Sequence, residues 1–466
     1  MEPIKDDVAI VGISCIFPQA PDIHTYWENI ISKKNCISEM PELEMKKYFD
    51  PDSEEFERIY CNKGGYLGDL ARFDPISFGV MPNSIEGVSP DHFLSLKVAN
   101  ESLKDSGIDE NSLPYERTEV ILGHGTYIDS SNTNWIQHGL IIDQTIEIIK
   151  KLSLDFSEKE INQIRTQLKR SLPVLNADNI PGIVPNIISG RIANKFNFMG
   201  DNYIIDAACA SSLIAIENGV KDLKTGKCDL VIAGGVQTQM PPQVYMAFCA
   251  LDVLSHKMEI RPFDKNADGT LPGEGIGIVV LMRKKDAEKK CKKIYGLIKS
   301  IGISSDGKST GLLAPRLEGE VLAIKRAYEI ADISPDTVEL IEAHGTGIPL
   351  GDITEIKALT EVFGYKKGKY PTCAIGTVKS MIGHCIPAAG IAGIIKAVLS
   401  LYYKVLPPTL NYEEPNPEFE LEKTPFYINT ETKPWIHGNY KTPRRAGVNA
   451  FGFGGINAHC ILEEYI

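Results

Sequence analysis

The sequence lacks the cysteine and histidine spacings of a structural metal site. Its ten cysteines are scattered without a CxxC pair, and its nine histidines include no HExxH spacing. We therefore expect reduced thiols and no metal ion. Each cysteine can then be ranked only by its local surroundings, because these decide whether a thiol is reactive.

An excess of positive charge is also missing. Lysine and arginine number 49 against 61 aspartate and glutamate residues, which gives a formal net charge of -12. Nucleic-acid binding needs a basic surface that neutralises phosphates, and no basic cluster with interleaved aromatic residues is present. Nucleic acid is therefore not expected as a partner.

Long uncharged apolar runs are absent as well. The start, MEPIKDDVAIVGISCIF, places two aspartates before a short β-branched run, which is unlike a secretory signal and predicts a first strand. The most apolar stretch begins at Ile386 but contains Lys396, which favours a buried helix over a membrane span. We expect a cytoplasmic protein with no membrane partner.

No low-complexity linker divides the 466 residues, and the chain instead repeats itself. In each half a helix-like segment is followed by a strand-like segment. Glu119 and Glu339 match in register, as do His124 and His344, each pair 220 positions apart. The segments are 101–108 and 118–126 in the first half, and 327–333 and 338–346 in the second.

This repeat predicts an α/β architecture built by tandem duplication. Strands alternate with helices in both halves, and apolar strands such as 230–235 are typical of largely parallel, buried sheets. We place the join near 255–261. The predicted division is an N-terminal half, 1–257, and a C-terminal half, 258–466.

The first half also carries an insertion at roughly 127–181. Within it, Ser157 and Glu160 form a capping box before apolar residues at helical spacing. We expect a helical cap over the core, and such caps often border a substrate tunnel.

Cys209 stands out among the cysteines. Strand-like apolar residues precede it, small residues surround it, and the apolar helix from Leu213 is predicted to end at Gly226. The thiol would then lie at a helix N-terminus, where N–H groups and the helix dipole lower the pKa of a thiol. At this point a buried, inert cysteine is an equal alternative.

Three glycine-containing segments complete the candidate site. Segments 342–352 and 376–390 place His344 and His384 beside glycines after strand-like runs, where α/β folds assemble their sites. Segment 449–459 is so rich in glycine that its N–H groups can approach a ligand closely. One cysteine, two histidines and a donor loop suit acyl-thioester chemistry.

The motifs DAACASS, EAHGTG, KSMIGH and GFGGINAH occur in the order and at distances typical of one enzyme family. Over nearly its whole length the chain resembles the β-ketoacyl synthases of the thiolase-like superfamily. This resemblance implies a five-layered αβαβα thiolase-like fold from two duplicated halves, usually a homodimer, with the site at their junction. The implied reaction is the decarboxylative condensation of a cysteine-bound acyl group with a malonyl thioester.

The resemblance also implies roles for individual residues. By motif, Cys209 is the acyl-accepting nucleophile. His344 and His384 are the decarboxylation and condensation histidines, and Lys379 supports them. Phe453 matches the gate phenylalanine, and its N–H and that of Cys209 would form the oxyanion hole. The residues expected to bind substrate are Thr346, Ile348, Gly454, Gly455 and Asn457.

The family's substrates imply its partners. The resemblance implies no cofactor bound by the chain itself, because malonyl and acyl thioesters arrive on the 4′-phosphopantetheine arm of an acyl carrier protein. The stretches FGVMPNSIEGVSPDHFLSL and PGIVPNIISGRIANKF resemble ketosynthase domains of iterative multidomain polyketide and polyunsaturated-fatty-acid synthases. Fusion to further synthase domains is therefore expected.

Two departures and two alternatives stay open. Ile348 and Ile456 stand where many relatives have threonine, so a hydroxyl that would hydrogen-bond pantetheine is lost at Ile348. A thiolase using coenzyme A would need a second catalytic cysteine, and Cys460 is near the required position but off the motif. A non-elongating, carrier-binding ketosynthase is the second alternative. A non-catalytic chain-length partner would usually lack the nucleophile, whereas Cys209, His344 and His384 are all present.

Overall fold

The computed structural model describes residues 6–40, 45–53, 55–125, 129–152, 156–291, 293–309, 311–366, 368, 370–437 and 442–466. These residues form fifteen strands and fourteen α-helices, joined largely by short 3₁₀ turns. The predicted first strand is confirmed as β1. The strand predicted at 118–126 ends at His124, and its last position lies outside the described residues.

The strands are β1 (Val8–Ile16), β2 (Ser38–Glu39), β3 (Lys63–Gly64), β4 (Thr118–His124), β5 (Asn202–Ile205), β6 (Leu230–Gln237), β7 (Gly275–Arg283), β8 (Gly296–Ser305), β9 (Leu340–Glu342), β10 (Cys373–Gly376), β11 (Val405–Leu406), β12 (Phe426–Ile428), β13 (Lys433–Pro434), β14 (Arg445–Gly452) and β15 (Ile456–Glu463).

The helices are α1 (Ile23–Ile31), α2 (Pro75–Phe78), α3 (Asp91–Ser106), α4 (Ser130–Ile136), α5 (Ile142–Lys151), α6 (Glu158–Arg170), α7 (Ile187–Phe196), α8 (Ser211–Thr225), α9 (Pro242–Ala250), α10 (Lys284–Lys290), α11 (Leu317–Ala331), α12 (Pro349–Phe363), α13 (Lys379–Ile382) and α14 (Ala389–Tyr403).

Eleven strands form one sheet, in the order β12-β10-β9-β14-β15-β8-β1-β7-β6-β4-β5. Read outward from its centre, the first half is β1-β7-β6-β4-β5 and the second is β8-β15-β14-β9-β10, with β12 added at the edge. Both halves begin with two antiparallel pairs and continue with parallel pairs. This repeated topology confirms the duplication predicted from the sequence.

The expectation of largely parallel strands is wrong at the centre of the sheet. The ten neighbouring pairs of this sheet are five parallel and five antiparallel, and the antiparallel ones adjoin β1, β7, β8 and β15. These central strands are as buried as parallel ones, because helices cover both of their faces. Apolar runs therefore reveal burial but not strand direction.

The helices complete a layered α/β fold. Helices α3 and α7 pack on the outer face of the first half of the sheet, and α11 and α12 lie on the outer side of the second. Helices α8 and α14 pack against each other between the halves. Glycine is needed at this contact, because a Cβ on Gly390 would lie 2.8 Å from the Leu213 side chain. The αβαβα order agrees with the predicted thiolase-like fold.

The position of β7 bears on the predicted division at 257/258. This strand follows residue 257 but pairs with β1 and β6, which precede it. The change from the first half of the sheet to the second therefore lies between β7 and β8, about thirty residues later than the sequence indicated. A strand has no local mark for the half to which it belongs, since pairing is a long-range choice.

The described residues of the insertion at 127–181 are largely helical, as predicted. Helices α4, α5 and α6 account for most of it, and the capping box of Ser157 and Glu160 is present in both directions. Ile142, Ile146 and Ile161 form a small apolar cluster of their own. None of its described residues lines the cavity at Cys209, so the expectation that it borders the substrate tunnel is not met there.

The apolar helix predicted from Ile386 is a core element. The segment Ile386–Tyr403 is long and apolar enough to cross a membrane, yet 89% of it is buried inside the protein. Lys396 does not interrupt this burial, because its ammonium group pairs with Glu342 at 2.6 Å. A charge inside an otherwise apolar helix is thus neutralised by the facing strand.

Candidate active site

The cysteine singled out by the sequence lies in a strained turn between β5 and α8. Ala208, just before Cys209, has a φ of 49°, in the left-handed region that a residue with a side chain rarely adopts. The turn is held by Ser211, whose hydroxyl donates to Ala208 O at 2.6 Å and accepts from Ala207 N at 2.8 Å. Such strain persists because surrounding hydrogen bonds determine the turn.

The expectation of a lowered thiol pKa is wrong. Cys209 is only 6% exposed, and burial raises its pKa to about 11, although the positive charge of Lys379 acts in the opposite direction. The helix dipole was the basis for the sequence-based expectation, and desolvation outweighs it. The resting side chain is therefore a neutral thiol, which would have to lose its proton to react as a nucleophile.

A base for that proton is in contact with the sulfur. Nε2 of His384 lies 3.2 Å from Cys209 Sγ. Burial holds the pKa of His384 well below its usual value, and the nearby Lys379 charge lowers it further. The imidazole is therefore neutral and can accept a proton.

Two backbone N–H groups converge on the same sulfur. The backbone N–H groups of Phe453 and of Cys209 itself lie close enough to Sγ to lower its pKa, which favours its ionised form. The glycine-rich segment can approach so closely only without a side chain at Gly452, where a Cβ would lie 2.8 Å from Ala207 O. This is the arrangement of an oxyanion hole beside a nucleophile.

The second histidine stands next to the first. The rings of His344 and His384 are nearly perpendicular, with centroids 5.4 Å apart. Burial holds the pKa of His344 well below its usual value, and the positive charge of Lys379 lowers it further. No described residue hydrogen-bonds Nδ1 of either ring, so either imidazole can carry its single proton on Nε2.

The loops that carry the two histidines are fixed by buried contacts. Both carboxylate oxygens of Glu355, on α12, accept hydrogen bonds, from His344 N at 2.7 Å and Gly345 N at 2.8 Å. Gly383 precedes His384 with a φ of 82°, and a Cβ there would lie 2.6 Å from Pro272 O. Neither histidine backbone can therefore shift without breaking buried contacts.

Lys379 lies beneath this group at the start of α13. Its side chain is buried, and burial lowers its pKa, while Glu342 and Glu355 partly compensate. Its positive charge lowers the pKa of Cys209 and of both histidines. The structure thus brings the four residues predicted as catalytic into electrostatic contact.

The three reactive side chains also have the donor atoms of a metal site. Cys209 Sγ and one nitrogen each of His344 and His384 all lie within 4.8 Å of one another. A thiolate and two imidazoles are ligands that Zn²⁺ accepts. The burial that keeps Cys209 protonated opposes this use, because metal binding requires the thiolate.

A cavity of about 300 Å³ leads from the surface to Cys209. Of the residues expected to bind substrate, Thr346, Ile348, Gly455 and Asn457 line it, together with Phe453. Gly454 does not line it, and its N–H donates to Leu312 O at 3.0 Å. The apolar lining comes mainly from residues that the sequence motifs did not indicate. These are Phe248, Leu251, Val253, Leu312, Leu313, Ala314, Pro315, Leu350, Ile386 and Phe451.

Three carboxyl residues near the site were also missed, Asp306, Glu320 and Glu355, and Asp306 accepts a hydrogen bond from Asn457. Glu355 supports the His344 loop, and its only sequence signal is an acidic residue on the buried face of an amphipathic helix. Glu320, on α11, lines the cavity. It is 1% exposed, although an acidic residue on a helix is normally solvated.

Comparison with known proteins identifies this arrangement. The N-terminal domain of β-ketoacyl synthases matches residues 5–287, and their C-terminal domain matches residues 295–413. The chain belongs to the β-ketoacyl synthase family. A C-terminal extension of ketoacyl synthetases matches residues 415–466.

Large synthases contain similar chains. One subunit of the polyunsaturated fatty acid synthase from Thraustochytrium is 35% identical over 464 residues, which are 98% of this chain and 16% of that protein. Polyketide synthase PksL of Bacillus subtilis is 36% identical over 463 residues, 99% of this chain and 9% of that protein. This chain therefore spans only a small part of these relatives.

Solved structures agree in fold. A ketosynthase from module 6 of the Bacillus subtilis bacillaene synthase is 34% identical, with a TM-score of 0.83 over 99% of this chain and 72% of that one. An oxazolomycin ketosynthase domain from Streptomyces albus is 29% identical, also with a TM-score of 0.83, over 99% and 75%. The fold is thus that of the thiolase-like ketosynthases, and the chain is a ketosynthase domain of the type I polyketide synthase class.

This assignment favours β-ketoacyl synthase chemistry over that of a thiolase. The thiolase alternative is not favoured, because the cysteine it would need has no place in the cavity. Cys460 lies within β15 with no exposed surface, and burial raises its pKa. It does not line the cavity that contains Cys209.

Proposed function

We propose that this ketosynthase accepts an acyl group on Cys209 and elongates it with a malonyl unit delivered by an acyl carrier protein. The observation that carries the proposal is the convergence of His384 Nε2, 3.2 Å away, and two backbone N–H groups on one buried sulfur. A non-elongating domain would need only the acyl-binding half of this arrangement. His344 has no evident use in such a domain.

In the loading step, Cys209 Sγ bonds to the carbonyl carbon of the incoming thioester while its proton passes to His384 Nε2. The N–H groups of Cys209 and Phe453 then stabilise the negative charge on the carbonyl oxygen by donating hydrogen bonds to it. When the bond to the pantetheine sulfur breaks, that sulfur takes the proton from His384 and leaves as a thiol.

In the elongation step, the bond between C2 and the carboxylate of the malonyl group breaks, and carbon dioxide leaves. The electron pair forms an enolate, whose oxygen accepts hydrogen bonds from Nε2 of His344 and of His384. For His384 the single ring proton must first move from Nδ1, which has no described partner, to Nε2. C2 then attacks the acyl carbonyl, and the sulfur of Cys209 departs as a thiolate that takes a proton from solvent. Neutral imidazoles suit this role because each can donate without carrying charge.

The carrier and the remaining partners are part of the proposal. Relatives in which such a domain is a small fraction of a synthase support delivery by a phosphopantetheine arm and fusion to further domains. No cofactor of the chain's own is needed, because the thioester is the activated group. We place the reaction in the cytoplasm, a reducing compartment that suits the free thiols of this chain.

We also propose that the domain acts as a homodimer. Strand β5 is the edge of the eleven-stranded sheet and is only half-buried, so its outer backbone groups lack a strand partner among the described residues. The insertion exposes apolar side chains of Trp135, Leu140 and Ile148. A second copy that covered these surfaces would pair the backbone groups of β5 and remove the apolar side chains from water.

The loading step can be tested by mass spectrometry of Cys209 peptides after incubation with acyl carrier thioesters of different chain lengths. We expect acylation of Cys209 alone, and none in Cys209→Ala. Cys249→Ala is the matched control, because Cys249 is a partly exposed thiol next to the cavity residue Phe248. Acylation that persists in Cys209→Ala would contradict the proposal.

A further inference from the structure

The wall of the cavity contains few polar side chains besides the catalytic ones. A pantetheine arm that brings its sulfur to Cys209 must lie along this wall, because the lining runs inward from exposed Leu312 and Leu350 to the sulfur. The arm carries amide groups, which lose hydrogen bonds to water on entering unless the wall replaces them. The polar wall residues are Thr270, Asp306, Glu320, Thr346 and Asn457.

Three of these five residues already have partners. Asn457 donates to the carboxylate of Asp306 at 2.7 Å, so these two groups satisfy each other. The oxygen of Thr346 accepts the N–H of Ile348 at 3.4 Å, which leaves only its hydroxyl proton for a ligand. Ile348 itself contributes no polar side-chain atom.

Glu320 is the polar wall residue whose burial the surrounding protein explains least. It is 1% exposed, and no described residue hydrogen-bonds its Oε2. Thr270 Oγ1 also has no described partner, but an unpaired hydroxyl is less costly than an unpaired carboxyl group. Burial raises the pKa of Glu320 well above its usual value, and the negative charges of Glu355, Asp306 and Asp352 raise it further. Burial and these negative charges favour the protonated carboxyl group, which can both donate and accept a hydrogen bond.

Glu320 lies near the loop that carries Ile348, where many relatives have threonine. Asp352 accepts hydrogen bonds from Phe263 N at 2.9 Å and Gly347 N at 3.3 Å, and Glu355 holds His344 and Gly345. Both carboxyl groups are near enough to influence Glu320. Helix α11, which carries Glu320, packs against α12, which follows Ile348 directly. Glu320 and Ile348 therefore line the same cavity from two helices that pack together.

We propose that the buried carboxyl group of Glu320, which lines the cavity, hydrogen-bonds an amide of the pantetheine arm and so replaces the hydroxyl that Ile348 lacks. Glu320 is thus a substrate-binding residue and takes no part in the bond changes. The inference rests on the proposed function, since it requires a pantetheine thioester in the cavity.

The test compares Glu320→Gln with Glu320→Leu in loading of Cys209. Glutamine keeps a donor and an acceptor, whereas leucine keeps only the approximate shape. The probes are hexanoyl pantetheine and the S-phenyl thioester of hexanoic acid, which has no amide. We expect Glu320→Leu to raise KM for hexanoyl pantetheine by roughly three- to tenfold, the effect of one neutral hydrogen bond, and to leave kcat and the S-phenyl reaction unchanged. Glu320→Gln should stay within about twofold of the parent.

Each other outcome has a distinct meaning. An equal loss with both probes would show a general disturbance of the site and overturn the inference. A loss in Glu320→Gln as large as in Glu320→Leu would also overturn it, because the ionised carboxylate would then be the active form. Absence of loading from both probes in the parent protein would instead contradict the proposed function.

The proposed replacement of the missing hydroxyl has its own test. In the Ile348→Thr background, the restored hydroxyl should share the contact, and the effect of Glu320→Leu on KM should fall by at least half. An undiminished effect in that background would overturn the replacement, because Glu320 and position 348 would then serve different parts of the arm. Thermal unfolding of the parent protein, the two Glu320 variants, Ile348→Thr and the double variant verifies that each is folded.

Discussion

The protonation state of Cys209 determines how the nucleophile is activated. A thiol whose pKa is about 11 is almost entirely protonated at neutral pH. Its alkylation by iodoacetamide, followed on the Cys209 peptide, should therefore rise about tenfold per pH unit through pH 9 or so, since only the thiolate reacts. A thiolate stabilised by the helix dipole would instead reach a plateau below roughly pH 8.5. A plateau in that range would contradict the structure.

The two histidines should separate in their effects on loading. His384 contacts Cys209 Sγ at 3.2 Å, so His384→Ala should slow loading by roughly a hundredfold, the contribution of a positioned base. His344 has no such contact, and His344→Ala should load within about threefold of the parent. Both variants should lose roughly 10²–10³ in decarboxylation, as expected when a donor to a developing oxyanion is removed. Equal loading by the two variants would remove His384 as the base.

At the scale of elements, one substitution affects both the loop at 344–347 and the start of α12. Ile348 is the N-cap of α12 and offers no side-chain cap. Ile348→Thr supplies a cap worth about 1 kcal/mol but loses part of the apolar contact of a half-buried isoleucine, so the free energy of unfolding should change by less than about 1 kcal/mol. Loading of Ile348→Thr from carrier thioesters should be unchanged or improved several-fold. In the parent protein, carrier thioesters should load faster than coenzyme A thioesters. A collapse of activity would show that the isoleucine is needed for packing.

Local sequence patterns predicted the elements well. The apolar spacing after Cys209 predicted α8, and Gly226 ends it with a φ of 74°, as a left-handed C-terminal residue should. The capping box of Ser157 likewise predicted the start of α6. These succeed because a cap or an apolar stripe involves residues within a few positions of each other.

What the sequence could not predict depends on distant contacts. The direction of β7 follows from its partners β1 and β6, and no local residue records it. The pKa of Cys209 is set by how much protein surrounds the turn, which the flanking residues do not reveal. The cavity role of Glu320 requires knowing that α11 packs next to α12. Burial of a polar group is a tertiary property.

The duplication shows how one element type can diverge. His124 and His344 lie at the ends of corresponding strands, β4 and β9. His124 is fixed by Asp91, whose carboxylate lies 3.0 Å from its Nε2, and this partner raises the pKa of His124 against the effect of burial. His344 has no carboxylate partner among the described side chains and faces the cavity. The same position is thus bound to a carboxylate in one half and faces the cavity in the other.

At the scale of the whole molecule, the dimer proposal predicts a mass. Light scattering should give about twice 51.4 kDa at micromolar concentration. A stable dimer interface covers roughly 800 Å² on each partner, and we expect the edge strand β5 and the apolar side chains of the insertion to supply that area. Trp135→Glu places a charge on the exposed apolar face of the insertion and should shift the mass toward the monomer. His256→Glu, at an exposed site elsewhere, is the control. A monomeric parent protein would contradict the proposal.

The most direct test of the central claim is intact-protein mass spectrometry of a two-step reaction. The domain is first loaded from an acyl carrier thioester and then mixed with a malonyl carrier thioester. We predict that Cys209 gains one acyl group, loses it on the second addition, and that a β-ketoacyl carrier thioester appears with release of carbon dioxide. Acyl-Cys209 that persists in the presence of malonyl carrier, with no β-ketoacyl product, would contradict elongation and leave a domain that only binds acyl groups.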